Sequence, residues 1–247
     1  MAMQWRTAAP AFDHLVPVQV TRALCREWSA RREKDGYSRG TIRKQLSILG
    51  AALRWQNPNT PAVVELPTQP PPRERHLTRA EADRLLAACD KSLHLRVFVV
   101  LALTTAARAG AILSLTWDQV DFQRGVIDYG RGPARNKQRA LAPMNHSCRE
   151  ALVKAKAAAV TDHVVEYGGA RVGSIKKAFA RACDRASLPD VTPHVLRHTA
   201  AVWMIENGVP FEVVAQLLGH STPKVTYQTY ARYSPTYLSS AVNALEL

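Results

Sequence analysis

Residues 192–201 read "TPHVLRHTAA", which puts two histidines and an arginine in the opening turns of a helix. Thr192 suits the N-cap and Pro193 the first helical position. His194 and Arg197 are three apart and share a face. An imidazole and a guanidinium then converge with the free amides and positive end of a helix, which makes an anion site that fits a phosphodiester. A structural His–Arg pair is the alternative at this level. His198 falls on a neighbouring face and reads as structural. Two further segments carry costly groups. In "LLGHSTPKVTYQTYARY", residues 217–233, Gly219 stops a helix, His220 follows on the turn, and Tyr230 comes ten residues later. In "TTAARAGAILSLTWDQVDF", residues 104–122, Arg108 sits among alanines and a glycine at a break in an apolar helix. An arginine entering such a corner needs an anion, and no acid lies close in sequence.

The bulk composition fits an anionic partner. The chain has 247 residues and a formal net charge of +13, with a pI near 10.0. Such an excess repels itself unless nucleic acid or a similar polyanion takes it up. No run of eighteen apolar residues points to a membrane partner, and "MAMQWRTAAPAFDHL" lacks a signal-peptide layout. Cys25, Cys89, Cys148 and Cys183 are far apart, with neither zinc spacing nor a disulfide framework. They read as packing residues of a protein in the reducing cytoplasm.

Helices must position these groups. Residues 19–35 predict one, with Val20, Ala23, Leu24 and Trp28 on one face and Gly36 at its end. A second starts at Ser38, striped by Ile42, Leu46, Leu49 and Leu53. Between 21 and 50 there are eight Lys/Arg against three acids. Arg22, Arg26, Arg39, Arg43 and Lys44 are candidates for a phosphate-binding face, with a merely solvated face as the alternative. Residues 57–77 hold six prolines and read as extended linker. The expected division is therefore a helical segment over 1–60, a linker over 61–77 and a main domain over 78–247. "TRAE" at 78–81 is a capping box. Helices are expected over 79–89 and 93–105, then a small antiparallel sheet from "WDQVDFQRGVIDYG" and "KQRALAPM". Helices at about 146–160 and 174–187 flank a short strand, "HVVEY". The last third is helical, stopped at Gly208 and Gly219, with a final helix from about Pro235 to Leu245.

The three segments, in this order, resemble the tyrosine site-specific recombinases of the phage-integrase family. The signature is an arginine in a helix break (Arg108), a lysine in a β-hairpin (Lys137), H-x-x-R at a helix start (His194, Arg197), a histidine in an L-G-H turn (His220) and a nucleophilic tyrosine (Tyr230). The resemblance spans residues 78–240. It implies a mainly α fold with a small antiparallel sheet, and a short helical segment before it like part of a core-binding domain. It also implies attack by Tyr230 on a DNA phosphodiester to give a 3′-phosphotyrosine. His194 would be the base, Arg108 and Arg197 would hold the phosphate oxygens, His220 would add a donor, and Lys137 would protonate the leaving 5′-hydroxyl. Arg131, Arg135 and Arg139 on the same hairpin become phosphate contacts. No metal, ATP or other cofactor is implied. The implied partner is double-stranded DNA, bound by a tetramer on paired sites that could be a monomer without DNA, with room for accessory DNA-bending proteins.

Tyr227 and Tyr233 flank Tyr230 and read as packing. Ala111 stands where many members carry an acid that orients the first arginine. Only two helices are legible before the linker, like the second half of a core-binding domain. Two other readings remain. Residues 209–230 also scan as a helix-turn-helix, a DNA-binding protein without catalysis, which leaves Arg108, Lys137 and His194 without a role. Type IB topoisomerases share this chemistry, but the small size and the L-G-H turn fit integrases better.

Overall fold

Leu95, Phe98, Val99 and Leu101 leave almost nothing exposed on one helix, and the larger part of the molecule is built around it. A computed structural model of the chain describes residues 2–69, 74–130, 141–234, 242, 243 and 245. The chain forms two compact units, Met1–Arg73 and Glu74–Leu247.

The first unit has three α-helices among its described residues: α1 (Ala2–Phe12), α2 (Arg22–Lys34) and α3 (Arg39–Gln56). Thr21 caps α2 by accepting from the Leu24 amide, and Ser38 caps α3 by accepting from that of Thr41. Their core joins Phe12, Val20, Cys25, Trp28, Ile42, Leu46 and Leu49. The Phe12 and Trp28 rings meet edge to face with centroids 5.3 Å apart. Helix α1 is an addition to the two expected helices, and it supplies Ala8 and Phe12 to this core. Ala23, expected on the buried face of α2, is exposed. The proline-rich stretch is extended, yet it is not free along its length. Ala62, Val64 and Leu66 pack on the helices, and the Val63 amide donates to the Val20 carbonyl at 2.8 Å.

The second unit begins inside the expected linker. The Leu77 side chain is fully buried. Its amide donates to Thr199 Oγ1 at 2.9 Å, and its carbonyl accepts from Trp203 Nε1 at 3.1 Å. Helix α4 (Arg79–Ala88) follows with the expected reciprocal box, in which Thr78 Oγ1 accepts from the Glu81 amide and Glu81 Oε2 from the Thr78 amide. Apolar nearly all round, α5 (Leu93–Thr105) lies in the core. The short α6 is Ala109–Leu113. Strands β1 (Val120–Asp121), β2 (Val126–Asp128) and β3 (Leu141–Pro143) form an antiparallel sheet in sequence order, with Ile127 opposite Val120 and Ala142.

Then come α7 (His146–Ala157), an antiparallel pair β4 (Glu166–Tyr167) and β5 (Ala170–Arg171), and α8 (Lys176–Arg185). The "HVVEY" strand is thus shorter than expected and is one arm of a hairpin. Helices α9 (Pro193–Glu206), α10 (Phe211–Leu218) and α11 (Pro223–Tyr230) complete the described fold. They share a smaller core of Ala106, Ala200, Val202, Ile205, Val214, Leu218 and Tyr230. The fold is mainly α with small antiparallel sheets, as the sequence predicts. No described helix is long and apolar enough to cross a membrane. Most of the final helix expected from Pro235 lies outside the described residues.

Candidate active site

Three helix ends meet around Arg197. The first is the end of α5, where Ala106 takes a left-handed conformation with φ of 51°. That turn reverses the chain and makes Arg108 the N-cap of α6, with its side chain half-buried. The second is the start of α9. Thr192 occupies the N-cap in extended geometry, but its side chain makes no cap bond. The third is the end of α10, where Gly219 is left-handed with φ of 59°. Its amide and that of His220 both return to the Ala215 carbonyl, the double closure of a glycine C-cap.

Arg197 is 6% exposed, and its guanidinium ties the other two ends together. Nη1 donates to the Ala106 carbonyl at 2.7 Å, and Nη2 to the Leu218 carbonyl at 2.6 Å. Nη2 also lies 3.4 Å from His220 Nε2. Burial and then the nearby charge of Arg108 pull its pKa down to about 10, so it stays charged at neutral pH. The sequence pairs Arg197 with His194 on one helix face. The structure separates them by exposure, His194 being the more exposed while its ring is still partly desolvated, and Arg197 being buried.

The charges of Arg108 and Arg197 both act on His194. Desolvation first, then Arg197 and Arg108, hold its imidazole below the usual histidine range. His194 is therefore the neutral member of a positively charged cluster. Arg108 has no hydrogen-bond or ion-pair partner among the described residues, and Ala111, three residues on, is buried. Both border a narrow cleft with Tyr129, Arg197 and Gly219. His220 is half-buried, with Nδ1 2.8 Å from Thr226 Oγ1.

Tyr230 closes α11 and is 6% exposed. Burial raises its pKa, while the charge of Arg197 acts the other way, so phenol and guanidinium lie within electrostatic reach. Its hydroxyl is 3.3 Å from Nδ1 of His198, and the two rings are tilted by 32° with centroids 5.1 Å apart. The structure thus brings Arg108, His194, Arg197, His220 and Tyr230 to one site. Lys137, with Arg131, Arg135 and Arg139, lies outside the described residues. Tyr233 packs on His76 and His198. Tyr227 is half exposed and meets Phe211 edge to face.

The candidate phosphate-binding residues of the first unit divide. Arg22 and Lys44 are exposed. Arg26 pairs with Glu65 at 2.9 Å and Arg39 with Glu33 at 2.7 Å. Exposed pairs of this kind are weak and yield readily to a phosphate. Arg43 donates to the Pro67 carbonyl at 2.6 Å and so holds the extended segment against α3.

Residues 75–236 match the phage integrase family. The chain belongs to that family. It is 26% identical over 223 residues to the integrase of Salmonella phage P22, an alignment covering 81% of this chain and 56% of that protein. This integrase-family chain spans about half the length of the curated relatives it matches, at 56%, 50% and 49% of three of them. It is 30% identical to the catalytic domain of bacteriophage HP1 integrase, with a TM-score of 0.53 over 69% of this chain and 95% of that one. It shares its fold with the Tn1549 transposon integrase, solved in complex with transposon right end DNA. That match has a TM-score of 0.80 at 19% identity over 99% of this chain and 92% of the other.

Two integrase-family residues stand at the site without a functional signal in the sequence. His198 reads as structural from its helix face, and its contact with Tyr230 spans 32 residues. Thr226 is an ordinary helix residue until the fold places it on His220.

Proposed function

We propose that this chain is a site-specific tyrosine recombinase that cuts and rejoins duplex DNA through a 3′-phosphotyrosine at Tyr230. The observation that carries this reading is the Arg197 knot. One buried guanidinium holds the turn before Arg108 and the turn of His220, and acts electrostatically on Tyr230. A DNA phosphodiester is an anion that resists attack, and a convergent positive site relieves that resistance where charge grows.

In the proposed step the Tyr230 oxygen bonds to phosphorus and the bond from phosphorus to the 5′ oxygen breaks. Arg108 and the unspent N–H groups of Arg197 hold the non-bridging oxygens. His220 adds a donor, and His194 carries the base role that the family resemblance implies. Lys137 is assigned the proton for the departing 5′-hydroxyl. The phosphotyrosine conserves the bond energy, so a 5′-hydroxyl from another strand reverses the step without ATP. The same proposal has no metal in the reaction.

Arg22, Arg26, Arg39 and Lys44 are proposed to contact phosphates from the first unit, and Arg131, Arg135 and Arg139 from the hairpin. Four protomers are expected on paired sites, a monomer is the form proposed without DNA, and accessory DNA-bending proteins are proposed partners. The four buried free cysteines suit work in the reducing cytoplasm.

The test starts by selecting the bound site from a pool of random-sequence duplexes. A nicked suicide duplex carrying that site is then incubated with the full chain and run on a denaturing gel. A covalent adduct in the wild type that disappears in Tyr230→Phe supports the reading. Tight binding with no adduct on the selected site supports a non-catalytic DNA-binding protein instead.

A further inference from the structure

We infer that His198 is a positioning residue for the nucleophile, holding the Tyr230 hydroxyl through Nδ1. The inference rests on the reading of Tyr230 as nucleophile and adds a partner which that reading leaves out. No hydrogen bond joins Tyr230 to His194, and the imidazole on the phenol is that of His198, at 3.3 Å.

Three observations point the same way. First, His198 is 9% exposed, and its other nitrogen, Nε2, is buried with no hydrogen-bond partner among the described residues. Burying a polar nitrogen unpaired costs about 1–3 kcal/mol. A residue kept only for packing gains nothing from this, since a leucine or phenylalanine fills such a space without the cost. Second, the ring is neutral. Burial, then His76, His194 and Arg232, pull its pKa down to about 4. We assign the ring proton to Nε2, so that Nδ1 accepts from the phenol O–H, its hydrogen-bond partner among the described residues. The hydrogen bond then fixes the hydroxyl torsion and ring plane, while the oxygen's lone pairs stay free for phosphorus.

Third, His198 is itself held by other rings besides that of Tyr230. His76 lies edge-on to it at 6.3 Å and Tyr233 at 6.1 Å. His76 and Tyr233 meet each other at 5.3 Å. Glu74 pairs with Arg232, whose guanidinium lies over the Tyr233 ring. The lead-in segment 74–76 thus clips the turn that follows Tyr230, and His198 packs on rings from both. Rings caged in this way lose little further freedom when the phenol must be aligned.

The experiment compares His198→Phe, His198→Asn and His198→Gln in single-turnover adduct formation on the nicked suicide duplex carrying the selected site. Melting curves and binding to the unnicked site are measured alongside. Phenylalanine keeps the ring and loses the acceptor. Asparagine places an acceptor near Nδ1, and glutamine places it near Nε2. The inference predicts native binding for all three and a rate lowered roughly ten- to a hundredfold in the Phe variant. The Asn variant should recover most of that loss and the Gln variant little of it.

A Phe variant as fast as wild type, or faster, overturns the inference. Should that variant not fold, Asn against Gln decides alone, and equal rates overturn the inference. Tyr230→Phe run in the same assay separates the two readings. An adduct that persists in it refutes the nucleophile itself, whereas a lost adduct with indifferent His198 variants refutes only the positioning.

Discussion

Arg197 donates to the carbonyl oxygen of Ala106 at 2.7 Å, and Ala106 is a fully buried alanine held in a left-handed turn. Such a turn costs an alanine about 1–2 kcal/mol, so the carbonyl it aims at Arg197 must be held from outside. The second guanidinium arm holds Leu218, and one side chain thereby sets the turns that present Arg108 and His220. Lysine keeps the charge but lacks the fork. Arg197→Lys should lose about 2–4 kcal/mol of stability in a denaturant melt, because a buried carbonyl is left unpaired beside a poorly solvated ammonium. It should also form no detectable adduct under conditions where it remains folded.

The His220 ring is held by Thr226 at 2.8 Å. Thr226→Val keeps the shape and removes the hydroxyl. The expected stability change is within about 1 kcal/mol, with adduct formation slowed roughly tenfold, because a donor that can rotate away is worth less to the developing charge. A variant with wild-type rate would show that the His220 orientation comes from elsewhere.

Gly219 stands at φ of 59° between Leu218 and His220. Any side chain there meets the left-handed penalty. Gly219→Ala should lower stability by about 1–2 kcal/mol, read from the shift in urea midpoint. Its adduct rate should fall by more than the folded fraction accounts for, since the same turn carries His220.

These positions mark how far the sequence alone reaches. Local devices are legible. Thr78 and Glu81 announce α4, Gly219 announces the end of α10, and the apolar run of 93–105 announces a buried helix. Arg108, His194, Arg197, His220 and Tyr230 stand out because costly groups recur at family spacing. Partners distant in sequence are not legible. Arg197 reads as an anion ligand, but two of its donors go to carbonyls 91 and 21 residues away. The prolines of 57–77 hide the burial of Leu77, whose partners lie on α9. Helix α1 carries Pro10 near its end, and its apolar stripe of Trp5, Ala8 and Phe12 is only about two turns long, so it does not stand out in the sequence.

The Glu81 carboxylate accepts two N–H bonds from Arg75, at 2.8 and 3.0 Å, besides its capping bond. Arg75 foremost, and then the Thr78 amide, hold its pKa down at about 2 from an ordinary 4.5. A carboxylate lowered on folding adds stability that is complete above pH 4.5 and disappears as pH falls toward 2. Melting temperatures measured from pH 6 to pH 2.5 should therefore fall more steeply for wild type than for Glu81→Gln. Above pH 5 the variant should be the less stable by about 1 kcal/mol or more.

The central claim is tested most directly by the chemical identity of the adduct. The wild-type chain is trapped on the nicked suicide duplex carrying its selected site, digested with protease, and the DNA-linked peptide sequenced by mass spectrometry. The account predicts one peptide, carrying the 3′-phosphate on the oxygen of Tyr230. It also predicts that Tyr230→Phe binds the same duplex, loses about 1–3 kcal/mol of stability because His198 Nδ1 is left unpaired, and gives no adduct. A peptide linked through any other residue, or an adduct that survives Tyr230→Phe, contradicts it.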